Sequence, residues 1–246
     1  MKLLALLVLS MGITVAQAQV AQVDAPEKAH KWKGETEASS VVVSGNTSTE
    51  TYGAKTANVY TLSETDLARI FGKYMRSTSG GTEQNNSWEA GLRYEKIFTK
   101  DLFSGFVQHK AEHDPYNGIF IQRDSSDVGV KYIFTKSENF DWFGELGYRY
   151  TKLYDATGES YINYARIYTQ SDFKVTATTQ AKLWFEYLPN LKTSNADLYN
   201  AEASISVMIS EMFSLKTAYL VNYNESTLSP LKKMSSTWTT ALVAKY

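Results

Sequence analysis

The residues able to do chemistry in this 246-residue chain are charged, and they recur at every second position. Arg93 and Glu95 flank Tyr94; Glu145 and Arg149 are separated by Leu146, Gly147 and Tyr148; Lys182, Trp184 and Glu186 interleave with Leu183 and Phe185. Arg69, Lys73, Lys110 and Arg166 hold the same phase within their own segments. Side chains two apart on a strand share a face. This spacing therefore sets ten charges (Arg69, Lys73, Arg93, Glu95, Lys110, Glu145, Arg149, Arg166, Lys182 and Glu186) on polar faces that back onto apolar ones. If the faces close around a lumen, the charges line it. Two readings are then open: a wetted narrow pore whose wall sets selectivity, or an ion-pair network that fills and stiffens the lumen. The mixed signs argue against strong preference for either anions or cations.

A second group lies around a turn: Asp114, Tyr116, Gly118, Arg123 and Asp127. Asp114-Pro115 and Asn117-Gly118 are strong turn dipeptides. The expectation is an outer loop that folds inward and constricts the mouth, with Arg123 tied to a carboxylate; a plain surface turn is the alternative. His113 and Asp114 beside Asp124 and Asp127 could hold a cation, but the spacing matches no known loop motif, so no metal is expected. Catalysis fares worse. Of three His, His30 precedes the first strand, His109 falls on an apolar face and His113 opens the loop. None announces a nucleophile–base pair by spacing. There is no cysteine, which removes thiol catalysis and zinc-thiolate sites. No phosphate loop, dinucleotide fingerprint or zinc helix occurs. The chain reads as a non-enzyme without cofactors. The 25 Lys+Arg against 26 Asp+Glu give no basic excess for nucleic acid.

The elements that must position these residues are strands. Period-2 alternation dominates and helical spacing is almost absent. Twelve strands are predicted, at 32–43, 49–61, 66–77, 86–98, 101–112, 124–135, 140–153, 160–171, 174–188, 197–209, 212–224 and 235–246. Most run longer than the 9–11 residues that a tilted spanning strand needs. The number is even, as single-chain bacterial barrels require. Short inside turns are expected at 62–65, 99–100, 136–139, 172–173 and 210–211. Outer loops, mostly longer, are expected near 44–47 and at 78–85, 113–123, 155–159, 189–196 and 225–234. Aromatics gather near strand ends, among them Trp32, Tyr60, Trp88, Phe134, Trp142, Tyr150, Tyr187, Tyr199, Tyr223 and Trp238. Rings with an apolar body and a polar tip suit two girdles at the membrane interfaces.

At the N-terminus, Lys2, the apolar run Leu3–Val15 and Ala16-Gln17-Ala18 form an export signal, cleaved before Gln19. The organisation is thus a signal peptide at 1–18, a short periplasmic segment at 19–31, and a transmembrane antiparallel up-and-down β-barrel at 32–246. The rival readings are a membrane-embedded lipid-modifying enzyme and a soluble periplasmic β-protein that binds a partner.

Several segments match a known family. Trp32-Lys33-Gly34-Glu35 enters the first strand and Ser44-Gly45-Asn46-Thr47 ends it; Arg93-Tyr94-Glu95 lies in the fourth. Asp114-Pro115-Tyr116-Asn117-Gly118-Ile119 is followed by Arg123 and then by Asp127 to Tyr132. In these the chain resembles the DUF481 family, whose members carry the label of salt-induced outer-membrane proteins of Gram-negative bacteria. The resemblance covers the mature chain in order, with one departure, Ala244 where barrels often place an aromatic. It implies a barrel in the outer membrane, without established enzymatic activity and with a salt-stress connection. The expected partners are outer-membrane lipid, small solutes or ions, and the barrel-assembly machinery during insertion. A monomer is expected.

Overall fold

The computed structural model describes residues 32–43, 48–227 and 232–246. The export signal, its cleavage site, the segment before Trp32 with His30, the Ser44–Thr47 motif and part of the last outer loop lie outside the described residues. Twelve strands form: β1 Trp32–Val43, β2 Thr49–Ser63, β3 Asp66–Ser79, β4 Thr82–Thr99, β5 Phe103–His113, β6 Gln122–Lys136, β7 Phe140–Asp155, β8 Gly158–Lys174, β9 Thr179–Leu188, β10 Leu198–Met208, β11 Phe213–Asn224 and β12 Met234–Lys245. Each pairs antiparallel with its chain neighbour, and β12 returns to β1 to close the barrel. Tyr246 and Gly34 exchange backbone hydrogen bonds at that closure.

Alternation decides the two faces. Leu92, Val107, Val128, Leu146, Ile167, Leu183, Ile205 and Leu215 are exposed on the outside. Arg93, Glu145, Arg166 and Glu186, one residue out of phase with such neighbours, are buried inside. Aromatics form a belt at each end of the strands. Toward the termini, Phe134 lies 4.5 Å from Trp142 and Phe140 lies 4.8 Å from Phe173. At the other end, Tyr187 stacks on Tyr199 at 4.7 Å and Tyr219 meets Trp238 at 5.9 Å. These are the two girdles that interfacial rings prefer.

Three connections differ from the sequence expectation. The outer loop expected at 78–85 is a two-residue turn, Gly80-Gly81, with both glycines at positive φ. That conformation suits a tight hairpin, so the ladder continues through polar residues that read as loop. The loop expected at 155–159 likewise shrinks to 156–157, where the Asp155 carboxylate accepts the amides of Thr157 and Gly158 at 2.7 and 3.1 Å. Asp172 and Phe173, expected as an inside turn, are strand residues. Asp172 pairs with Lys182 across β8 and β9 at 3.4 Å, which lets a carboxylate remain in the ladder. The chain turns later, at 175–178, around the Thr176 hydroxyl.

Gly129 and Gly147 face each other across β6 and β7. A Cβ on Gly129 would meet the Leu146 carbonyl oxygen at 2.6 Å and the Phe106 ring at 2.8 Å. Gly129 thus leaves room for the Phe106 ring against the lumen wall. Gly129→Ala should destabilise the barrel by about 1–3 kcal/mol, the usual cost of overpacking. Urea titration of the heat-modifiable folded form in micelles would check this.

Candidate functional site

The lumen holds a chain of opposite charges that crosses from wall to wall. Arg93 on β4 grips Glu145 on β7 at 2.7 and 3.2 Å, although β5 and β6 lie between their strands. Glu145 also accepts from Arg166 on β8 at 2.6 Å, and Arg166 reaches Glu186 on β9 at 2.7 Å. Glu186 takes Arg149 at 3.2 Å and Asn200 at 3.0 Å. Arg149 binds Asp127 with both arms, at 2.6 and 2.8 Å. At the other end Glu95 joins Arg93, Arg69 and Lys131 at 3.2, 3.7 and 3.8 Å. Guanidinium stacking adds to this, with Arg93 3.8 Å over the Phe106 ring. The Glu145 side chain is 0% exposed and that of Arg166 only 3%. Charges that deep persist only when paired on all sides, as these are.

The remaining charges of the sequence reading sit around this network. Lys110 bridges Glu112 and Glu89 at 3.2 and 3.9 Å. Lys73 lines a cavity beside β1 and β2. Lys182, nearer the inner end, pairs with Asp172 at 3.4 Å.

The outer-loop group divides. Arg123 holds Glu112 with two bonds of 2.7 Å, a carboxylate on the neighbouring strand rather than in the loop. Asp127 belongs to the lumen network. Asp114 is buried and its Oδ1 caps the Tyr116 amide at 3.0 Å, while Oδ2 has no partner among the described residues. Tyr116 leans outward and donates to Glu83 at 2.8 Å. Gly118 takes φ 72° to turn the loop. The residue that enters the mouth is Phe120, buried under Arg123 at 4.4 Å, facing Tyr164, Leu188 and Leu198 across an open space of about 450 Å³. Strand alternation separates the four residues considered for a cation. Asp114 and Asp127 point inward, whereas His113 stacks on the outward Trp88. No cluster suited to a metal occurs among the described residues.

Two features escaped the sequence reading. Phe106, Phe143 and Tyr168 are buried on the charged faces, beside Trp184, which its spacing from Lys182 and Glu186 already sets there; the signal was their phase, identical to that of the charges beside them. His109 Nδ1 lies 2.9 Å from Ser126 Oγ on the lipid-facing wall of β5 and β6. Seventeen residues of sequence separate them, and only strand register brings them together.

A family profile described as "Protein of unknown function, DUF481" matches residues 36–246. The chain belongs to the DUF481 family. Among solved structures it is similar to one described as a NanC porin, with 8% identity and TM-score 0.55 over 87% of this chain and 99% of the other. It is similar to the COG4313 outer membrane channel from Pseudomonas putida F1, with 10% identity and TM-score 0.53 over 87% and 95%. It is also similar to the translocator domain of autotransporter NalP from Neisseria meningitidis, with 11% identity and TM-score 0.50 over 87% of each. Identities this low show the fold alone: the DUF481 chain is an outer-membrane β-barrel. No curated protein sequence matches it.

Two outcomes follow for the DUF481 barrel. Glu145→Ala removes the carboxylate shared by Arg93 and Arg166 and leaves charge buried without compensation, at a cost of about 3–5 kcal/mol. Replacing Arg93, Glu145 and Arg166 together by apolar residues should recover much of that loss, as urea unfolding of the wild type and the two variants would show. In the loop, burial pushes the Asp114 carboxyl above its ordinary value. The folded loop then holds the proton more tightly than the unfolded one, so stability falls as pH rises from the ordinary value through the raised one. Thermal unfolding between pH 3 and pH 7, the range that brackets the ordinary carboxylate value, isolates this group by comparison: the wild type should lose stability relative to Asp114→Asn as pH rises.

Proposed function

We propose that the barrel is a narrow passive pore for small hydrophilic solutes and ions, with its pathway beside the charge network rather than along the axis. One observation carries this: the two halves of the lumen are filled unequally. Across β3 to β9 it is packed with buried arginines, carboxylates and aromatic rings. Along β11, β12, β1 and β2, Ser39, Gly53, Ala218, Thr237, Thr239 and Ala241 line an open cavity. The charges there are less enclosed, with the Lys55 side chain 19% exposed and that of Lys216 13%. The similar structures described as a porin and a channel point the same way. Lys55, Lys73 and Lys216 stand against Glu37, Glu202 and Glu89, the cross-strand neighbour of Lys73, a balanced wall that sets weak selectivity.

The pore reading is non-catalytic. The His109–Ser126 pair has no third side chain orienting the imidazole among the described residues, as a nucleophile–base pair requires. The dense cross-lumen pairing of the network favours a second reading, a barrel with a closed lumen that stiffens the envelope.

Planar-bilayer recording on folded protein decides between them. Discrete small openings are expected, reduced roughly fivefold or more by Ala218→Trp, which fills the side space. Deleting residues 115–121 should raise conductance by removing Phe120 from the mouth. Silence from correctly folded protein, or openings that Ala218→Trp leaves unchanged, would overturn the side pathway and select the closed barrel.

A further inference from the structure

The barrel's closing seam is zipped over only part of its length. β1 and β12 pair at Glu35–Lys245, Thr36–Ala244, Glu37–Val243 and Ala38–Leu242, with Gly34 and Tyr246 bonded below them. Continued in register, the ladder would match Ser39 with Ala241, Ser40 with Thr240, Val41 with Thr239, Val42 with Trp238 and Val43 with Thr237. None of these pairs forms. Yet β1 is fully paired with β2 over the same residues, and β12 with β11. Two strand edges therefore face each other unbonded in the half of the wall away from the termini.

Unbonded edges in hydrocarbon leave backbone groups unsatisfied, at several kcal/mol each. Water or a polar ligand inside the barrel can satisfy them; lipid tails cannot. The side cavity lies directly behind the gap: Glu37 and Ser39 from β1 and Thr237, Thr239 and Ala241 from β12 all line it. Its charged wall is the lysine-rich group, with Lys216 2.8 Å from Glu37 and 3.6 Å from Glu202. Outside the gap the surface is apolar and exposed, with Val42 59% and Trp238 67% exposed.

We propose that the unzipped β1–β12 seam is a lateral portal between the side cavity and the outer leaflet, and that it admits a single-chain amphiphile with an anionic head. The head would lie among Lys55, Lys73 and Lys216, whose ammonium groups line the cavity. The tail would leave between Ser39–Val43 and Thr237–Ala241 and lie against Val42 and Trp238. A slot between two strand edges suits one tail better than the paired tails of a bilayer lipid. Carboxylate and phosphate monoester heads share this chemistry.

The test uses the intact folded barrel and 12-carbon probes carrying a diazirine in the tail and either a carboxylate or a phosphate monoester head. Photolysis followed by peptide mass spectrometry should place adducts on residues 39–43 or 237–241, and the head that labels more strongly identifies the source. Adducts spread over the outer wall would overturn the portal, as would equal labelling by an uncharged amide of the same length. The chain is cysteine-free, so Val41→Cys with Thr239→Cys can lock the seam by oxidation, the reduced form of the same protein serving as its folding control. Locking should lower saturable labelling roughly tenfold, about 1.4 kcal/mol of affinity; labelling that survives the lock would overturn the proposal. Disulfide-linked dimers of Thr240→Cys alone would instead show that a second copy covers the edge, and would also overturn it. Conductance is read separately, so failure here leaves the pore assignment standing or falling on its own measurement.

Discussion

Backbone hydrogen bonding in a medium without water governs this molecule. Each amide and carbonyl that crosses hydrocarbon must find a partner in the chain, and for strands this requires a sheet that returns on itself. Twelve antiparallel strands with β12 back against β1 answer that demand. Their length, from 10 to 18 residues, is set by the membrane rather than by a protein core. Once the ring is closed, strict alternation divides every strand between lipid and lumen. The apolar residues that would build the centre of a water-soluble protein are spent on the outside, so the inside must be made of what remains.

What remains here is charge and aromatic ring. Burying so many ionised groups is costly, and each pair is sustained only by the completeness of its bonding. Glu145 and Glu186 each serve two arginines, and Phe106 offers its face to Arg93. The packing resembles a polar core confined to one side of the barrel. On the other side, where Ser39, Gly53, Ala218 and Ala241 replace long side chains, space remains. Filled and open halves therefore follow from side-chain size along particular strands, and the short β1–β12 ladder lies on the open side.

The strands and their facing were legible in the sequence because period 2 repeats every few residues and tolerates errors at the ends. Arg93, Glu145 and Arg166 could be assigned to the interior on phase alone. Which of them meet could not, because Arg93 and Glu145 are brought together by curvature across the lumen and not by any spacing along the chain. Tight turns were misread where polar residues continue a ladder, as at Thr78–Asn85, since composition reports solvent exposure and not hydrogen-bond pairing. Phe106 and Tyr168 are hidden for the opposite reason: an aromatic in a barrel sequence reads as lipid-facing until its phase is weighed against its neighbours. The His109–Ser126 contact and the partly zipped seam depend on register between strands, which a single sequence does not carry.

The bond between Arg93 and Glu145 spans strands that never touch through their backbones. Ladder hydrogen bonds are indifferent to a slide of two residues, because every rung is alike; the charges are not. Shifting β7 by two positions relative to β4 would bring Gly147 or Phe143 opposite the guanidinium in place of Glu145, leaving it to share the single carboxylate of Glu95 with Arg69 and Lys131. The cross-lumen pairs thus act as a proofreading key for assembly: a mis-slid ring could close, but only the correctly aligned one is free of buried, uncompensated charge.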